Sequence, residues 1–257
     1  MITECKPMYL NFENRETNGE EYLGDLKKAI DLHMARYKLE LTTTVKYEVL
    51  IGSLTYLLKI FNEIVENQLE TSIIGRHAVR TMSEVYVNMK YLTLKENEDN
   101  KIWGKYKEYG LGKYKLVALK CREFENEITH IVEPLISLLV NEPKSEEFMD
   151  MDLKFFNNER IKNKFEAVGE KQLYDLLYDY DTSFVHGFWG AVRESAMLHC
   201  DNSMHFYHAI PDIEFKQNLQ SVMDDCILIL PKYVQLISAS YPFHDWFVEK
   251  YGELNEA

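Results

Sequence analysis

Arg76, Arg80, Glu84 and Asn88 follow one another at intervals of four residues, with Tyr91 three further on. At 3.6 residues per turn, such a series forms one polar quadrant that drifts slowly around a helix. The guanidinium groups of Arg76 and Arg80 offer planar forks suited to a phosphate or carboxylate, and Glu84 offers a carboxylate for pairing or proton transfer. The same spacing also suits a plain solvated face, on which an Arg80 to Glu84 pair contributes only about 0.3–0.5 kcal/mol.

A second polar set surrounds His186, in the run from Tyr178 to Gly187. Helical spacing brings Asp179, Thr182, Ser183 and Arg193 toward the face of His186. An imidazole with an ordinary pKa near 6.5 suits a general acid or base at neutral pH. Its neighbours Phe184, Val185, Phe188 and Trp189 equally suit a half-buried, hydrogen-bonded core histidine. Both readings stand at this point.

Arg76, Arg80 and Glu84 on one long helix, followed about a hundred residues later by Tyr178, Ser183 and His186-Gly187, resemble a bacterial all-helical family known only as a domain of unknown function. More distantly, the arrangement is similar to the HEPN superfamily, over residues 45 to 235. That superfamily includes dimeric, metal-independent ribonucleases with an Arg-x(4-6)-His motif at the subunit interface. The nearest literal match is Arg193 to His199, with five residues between and Glu194 where an amide is usual; His186 has no arginine four to six residues before it. The resemblance implies an effector in stress or phage defence that cleaves RNA without a metal or cofactor. In that reading His186 or His199 takes the ribose 2'-hydroxyl proton, Arg193, Arg76 or Arg80 stabilises phosphate charge, and Glu84 belongs to the catalytic group. Asn88, Tyr178 and Ser183 would be binding residues, and the protein a homodimer. The alternative is a non-catalytic binding or regulatory module in which Arg76, Arg80, Glu84 and His186 form a buried polar network that fixes helix register or holds a small anionic ligand.

Other chemistry finds less support. His199, Cys200, His205 and His208, with Asp201, form a compact cluster, but their spacing matches no zinc signature and reads as a polar loop. Tyr109-Gly110-Leu111-Gly112-Lys113-Tyr114 reads as a hinge between helical segments rather than an anion cradle. No phosphate-binding loop, dinucleotide fingerprint, nucleophile elbow or paired Glu-x-x-His is present in the sequence.

The formal net charge is -13 and the isoelectric point near 5.1, which argues against duplex DNA or an anionic membrane as partner. RNA would need a locally positive groove. Cys5, Cys121, Cys200 and Cys226 lie too far apart for a disulfide framework, so reduced thiols and a cytoplasmic location are expected. No apolar run reaches the roughly 18 residues of a membrane span, and the first residues lack a basic and apolar leader pattern.

The elements that must position these residues are helices. Apolar positions recur every three or four residues over 20–39, 44–66 and 68–94, over 103–140 with a break at Gly110 to Gly112, and over 159–167, 173–198 and 213–238. A short aromatic helix follows Pro242, and Pro231 marks a kink. With only 11 Gly and 6 Pro, the chain reads as one all-α domain, a bundle of about six to eight helices with an up-and-down core. Residues 1–19 read as an extended lead-in and 143–169 as a mobile insertion. The pairs 44–66 with 68–94 and 170–199 with 212–238 are expected at the centre, bringing Arg80, Glu84 and His186 into one cleft.

Overall fold

Helix α1 spans Gly19–Glu40 and is followed by α2 (Val45–Glu66), α3 (Ile73–Lys95) and α4 (Ile102–Glu123). The structure is a computed structural model and describes residues 6–8, 18–40, 44–123, 156, 159–202, 204–205 and 207–251. Beyond α4, α5 (Ile161–Ala167) and α6 (Lys171–Leu173) lead into a π-helical turn, Tyr174–Tyr178, that continues as α7 (Asp179–Val185). Helices α8 (Trp189–Ala196), α9 (Met223–Ser238) and α10 (Asp245–Tyr251) complete the set. A small antiparallel sheet joins β1 (Pro7–Met8), β2 (Met197–Cys200) and β3 (Tyr207–Pro211) in that order, with Met8 opposite His199 and His199 opposite Tyr207. The fold is predominantly α-helical.

Side-chain caps set the starts of the central pair. The Thr44 hydroxyl accepts from the Tyr47 amide at 3.2 Å, and the Ser72 hydroxyl from the Gly75 amide at 3.1 Å. Each satisfies an amide that the first helical turn leaves without a partner. The apolar stripe of α2, with Leu50, Leu54, Leu57 and Phe61 buried, meets Val79, Met82 and Met89 of α3 and Leu230, Tyr233 and Ile237 of α9 in one core. Helix α3 is the hub, packed against α2, α7 and α9.

One close approach at this hub depends on a glycine. A Cβ on Gly75 would collide with the Leu69 carbonyl oxygen and lie 3.2 Å from Val222 Cγ2. The carbonyl cannot retreat freely, because it accepts from the Ser72 amide at 3.0 Å and the Ser72 hydroxyl at 2.8 Å. Gly75→Ala is therefore expected to destabilise the fold by about 1–3 kcal/mol. An unchanged urea midpoint would show that the turn before α3 yields.

The helix pattern departs from expectation in three places. The helix expected over 173–198 ends at Val185: Gly187 has φ +61°, its amide bonds to the Phe184 carbonyl at 3.2 Å, and the Phe188 amide bonds to the Ser183 carbonyl at 2.9 Å. A left-handed glycine closes the helix, so α8 starts anew and passes into β2. The expected break at Gly110 to Gly112 is absent, since α4 runs through both glycines. The helix expected from Ile213 begins at Met223, and β3 occupies part of the expected loop. The expectations for 124–140 and for 143–155 lie outside the described residues.

Candidate functional site

The four-residue ladder on α3 divides between two environments. Arg80 Nη2 donates to the Tyr178 hydroxyl at 2.8 Å, and Arg80 Nε to the Thr182 hydroxyl at 3.1 Å. The Tyr178 hydroxyl in turn donates to Glu84 Oε2 at 3.1 Å, and Arg80 Nη1 lies 3.5 Å from the same oxygen. The guanidinium also sits over the Tyr178 ring, 4.7 Å from its centre. Burial, followed by the Glu84 charge, pushes the Tyr178 phenol well above its ordinary pKa, so it stays a neutral donor. The Thr182 hydroxyl is oriented by its own bond to the Tyr178 carbonyl, 2.6 Å away.

This network forms one wall of a cleft of about 910 Å³ between α2, α3, α4, α5 and the π turn. On another wall Lys164 is only 5% exposed, and its ammonium donates to Asn88 Oδ1 at 2.9 Å. Lys164 Nζ lies 5.5 Å from the centre of the Tyr91 ring and 5.4 Å from that of Phe156. Tyr106 and Tyr109 meet Phe156 edge to face at 5.3 and 5.5 Å, giving the cleft an aromatic flank. Burial lowers the Lys164 pKa and raises that of Tyr106 to about 12. At the rim, Lys107 is paired with Glu48 at 2.9 Å.

Arg76 turns the other way, into the seam of α3, α7 and α9. It is 4% exposed, donates to Asp225 Oδ2 at 3.1 Å and to the Gln220 carbonyl at 2.9 Å, and lies 3.5 Å from Asp181 Oδ1. Asp181 is fully buried, and neither of its oxygens accepts a hydrogen bond of normal geometry among the described residues. Burial raises its pKa to about 7, against the pull of Arg76. Two carboxylates thus share one buried guanidinium.

Of the residues singled out by sequence, Arg80, Glu84, Asn88 and Tyr178 meet at the cleft. His186 does not line it; it caps the end of α7, exposed, with its ring stacked on Phe188 at 5.5 Å. Ser183 and Arg193 are half-buried beyond the cleft wall, and His199 is 1% exposed within β2. The neighbourhood expected for Arg80, Glu84 and His186 therefore contains Tyr178 and Thr182 in place of the histidine. Lys164, Tyr106 and Asp181 are additions from the structure. Near β2, Cys200 Sγ lies 3.3 Å from His205 Nδ1, yet among the described residues no three His, Cys, Asp or Glu side chains gather as they would around a metal ion. His33, on α1, is buried, stacked on Phe243 at 4.0 Å and hydrogen-bonded to the Tyr241 carbonyl at 3.0 Å, which makes it a packing residue.

No helix among the described residues is long and apolar enough to cross a membrane. In comparisons with known proteins, a family of unknown function matches residues 47–205, a span that includes the whole cleft lining from Glu48 to Tyr178. No curated protein and no solved structure shows a significant match.

Proposed function

For this chain, which belongs to that family, DUF5677, we propose the role of a small-molecule-binding module whose cleft takes a planar, anionic ligand. The observation that carries this reading is Lys164, a buried cation on the cleft wall with no carboxylate within ion-pair distance among the described residues. Glu84 and Glu159 act on it only from a distance; a buried charge without a direct counter-charge is costly, and an anion entering the cleft would supply one. The aromatic flank of Tyr106, Tyr109 and Phe156 favours a flat ring. Arg80 uses two of its five N–H groups on Tyr178 and Thr182 and holds Nη1 3.5 Å from Glu84, which leaves donors for a second negative group.

This reading is preferred to a HEPN-like ribonuclease because a general base has to stand within hydrogen-bond reach of its proton. The cleft that holds Arg80 has neither His186 nor His199 on its walls. A homodimer is compatible with either reading.

Calorimetric titration with aromatic mono- and dicarboxylates, terephthalate among them, and with 5'-mononucleotides is expected to show binding by at least one class. Lys164→Met, with its fold verified by circular dichroism, is expected to weaken that binding about 10- to 100-fold, the loss of one charge-assisted contact. Absence of heat from every compound at millimolar concentration would overturn the proposal. So would cleavage of RNA in EDTA that disappears in folded His186→Ala or His199→Ala, which would restore the ribonuclease reading.

A further inference from the structure

We propose that the Lys164 amine is a nucleophile that forms an imine with a carbonyl group of the cleft's ligand, the fitting class being aromatic aldehydes that carry an anionic group at the far end of the ring. The inference rests on the binding reading above and adds a reaction to it.

The setting of Lys164 differs from that of three partly exposed lysines. Lys90 and Lys232 are neutralised by Glu170 at 2.6 and 3.4 Å, and Lys46 by Glu96 at 2.8 Å. Among the described residues Lys164 instead has one amide oxygen, Asn88 Oδ1, and two aromatic rings at close range, while the carboxylates of Glu84 and Glu159 act on it from beyond ion-pair distance and oppose the effect of burial. A carboxylate in direct contact holds a lysine as ammonium, whereas burial without such a contact eases the ammonium's loss of a proton to give the free amine that attacks carbonyl carbon. The direction of the Lys164 pKa agrees with this geometry. Asn88 is a positioning residue that fixes the amine at the wall.

The remaining parts lie along α3. Arg80 and Asn88 are eight residues apart on this helix, about 12 Å along its axis at ~1.5 Å per residue. Arg80 and Asn88, the partner of Lys164, therefore leave the cleft wall about two turns apart, an offset that suits a rigid ring with an anion at one end and a carbonyl at the other. Between them stands Glu84, a carboxylate lining the same cleft. In the step, the amine lone pair bonds to the carbonyl carbon and the C=O π pair moves to oxygen. Glu84 takes the proton released by nitrogen and returns it to that oxygen, giving a carbinolamine. The nitrogen lone pair then forms C=N as the C–O bond breaks, and the remaining N–H proton passes by way of Glu84 to the departing hydroxyl, which leaves as water. One amine and one aldehyde become one imine and one water, with no redox change and no co-reactant.

The test uses the full chain with 4-carboxybenzaldehyde, sodium borohydride and peptide mapping by mass spectrometry. With stoichiometric aldehyde, the reduced adduct is expected on Lys164 in at least tenfold preference to any other lysine. Terephthalate should compete, benzaldehyde should label at least tenfold less, and Lys164→Arg, with its fold verified by circular dichroism, should abolish the adduct. Trapping should reach half its maximal rate at a pH below the ordinary lysine pKa of about 10.4. If 4-carboxybenzaldehyde binds by calorimetry but no adduct is fixed at Lys164, or if label spreads evenly over surface lysines, the imine is overturned and the binding reading stands. If neither the aldehyde nor terephthalate nor any other compound of the panel binds, both fail.

Discussion

Replacing Arg76 with methionine is expected to destabilise the fold by about 3–5 kcal/mol at pH 8, the range for removing one partner of a buried ion pair. Methionine keeps the length and much of the volume of the arginine stem, so the loss isolates the charge and its hydrogen bonds. It would leave Asp225 without its 3.1 Å partner, the Gln220 carbonyl without its donor and Asp181 without the cation 3.5 Å away. Both carboxylates are already strained by burial, which raises their pKa values, so little else compensates them. Adding Asp181→Asn to the methionine variant should recover part of the loss, because it removes one of the two stranded charges. Urea denaturation of the four proteins gives the coupling directly. A loss below about 1 kcal/mol for Arg76→Met alone would mean that water reaches this seam and screens it.

Asp181→Asn by itself is expected to stabilise the protein in mild alkali. The folded-state pKa of Asp181 is about 7, against an ordinary 3.8, so between these values the folded chain holds a proton that the unfolded chain releases. Unfolding is then favoured by rising pH: the contribution of Asp181 falls between pH 4 and 7, by at most about 1.4 kcal/mol per pH unit, and is level above 7. Asparagine is nearly the same shape and carries no charge at any pH, so it avoids this loss. The variant should therefore unfold at higher urea than the parent at pH 8, with the advantage shrinking toward pH 4.5. Asp225, shifted in the same direction, steepens the parent's own pH profile without altering the sign of the comparison. A variant less stable than the parent at pH 8 would show that the attraction of Arg76 exceeds the burial penalty.

Sequence periodicity was sufficient for α1, α2 and α3, whose buried positions recur every three or four residues and whose ends carry hydroxyl caps or polar turns. It was insufficient where one residue decides a boundary. Gly187, left-handed, ends α7 within a stretch whose apolar spacing continues across the break, whereas Gly110 and Gly112 sit inside α4. Glycine permits either outcome, and tertiary packing selects between them. The same division holds at the site. Arg80 and Glu84 were visible as an i, i+4 ladder, but Arg76, one turn earlier, faces a different seam, because a four-residue step advances 400° on the helix and each rung turns about 40° from the last. Lys164 stood in a short, mostly polar segment whose weak period, 159–167, predicted a helix but no site, and only the tertiary fold brings it to Asn88, 76 positions earlier in the chain. Asp181 could have been noticed as three residues beyond Tyr178 and thus near its face, yet an acidic residue in that register reads as solvated until its burial is seen.

The π turn at Tyr174–Tyr178 gives the cleft a sensitivity to chain length. Its closing bond, from the Asp179 amide to the Tyr174 carbonyl, spans five residues rather than four. Loss of a single codon there, for instance that of the solvent-exposed Leu176, would let the rod rewind as a plain α-helix. Everything before the deletion would then turn by about 100° relative to everything after it. Either Leu173 and Tyr174 would leave the core, or Tyr178 and Thr182 would swing away from Arg80 and Asp181 away from Arg76. The stretch at Asp175 and Leu176, which looks tolerant because these side chains face water, is thus a phase spacer between two anchored faces, and its residue count is constrained more tightly than the identities of those two residues.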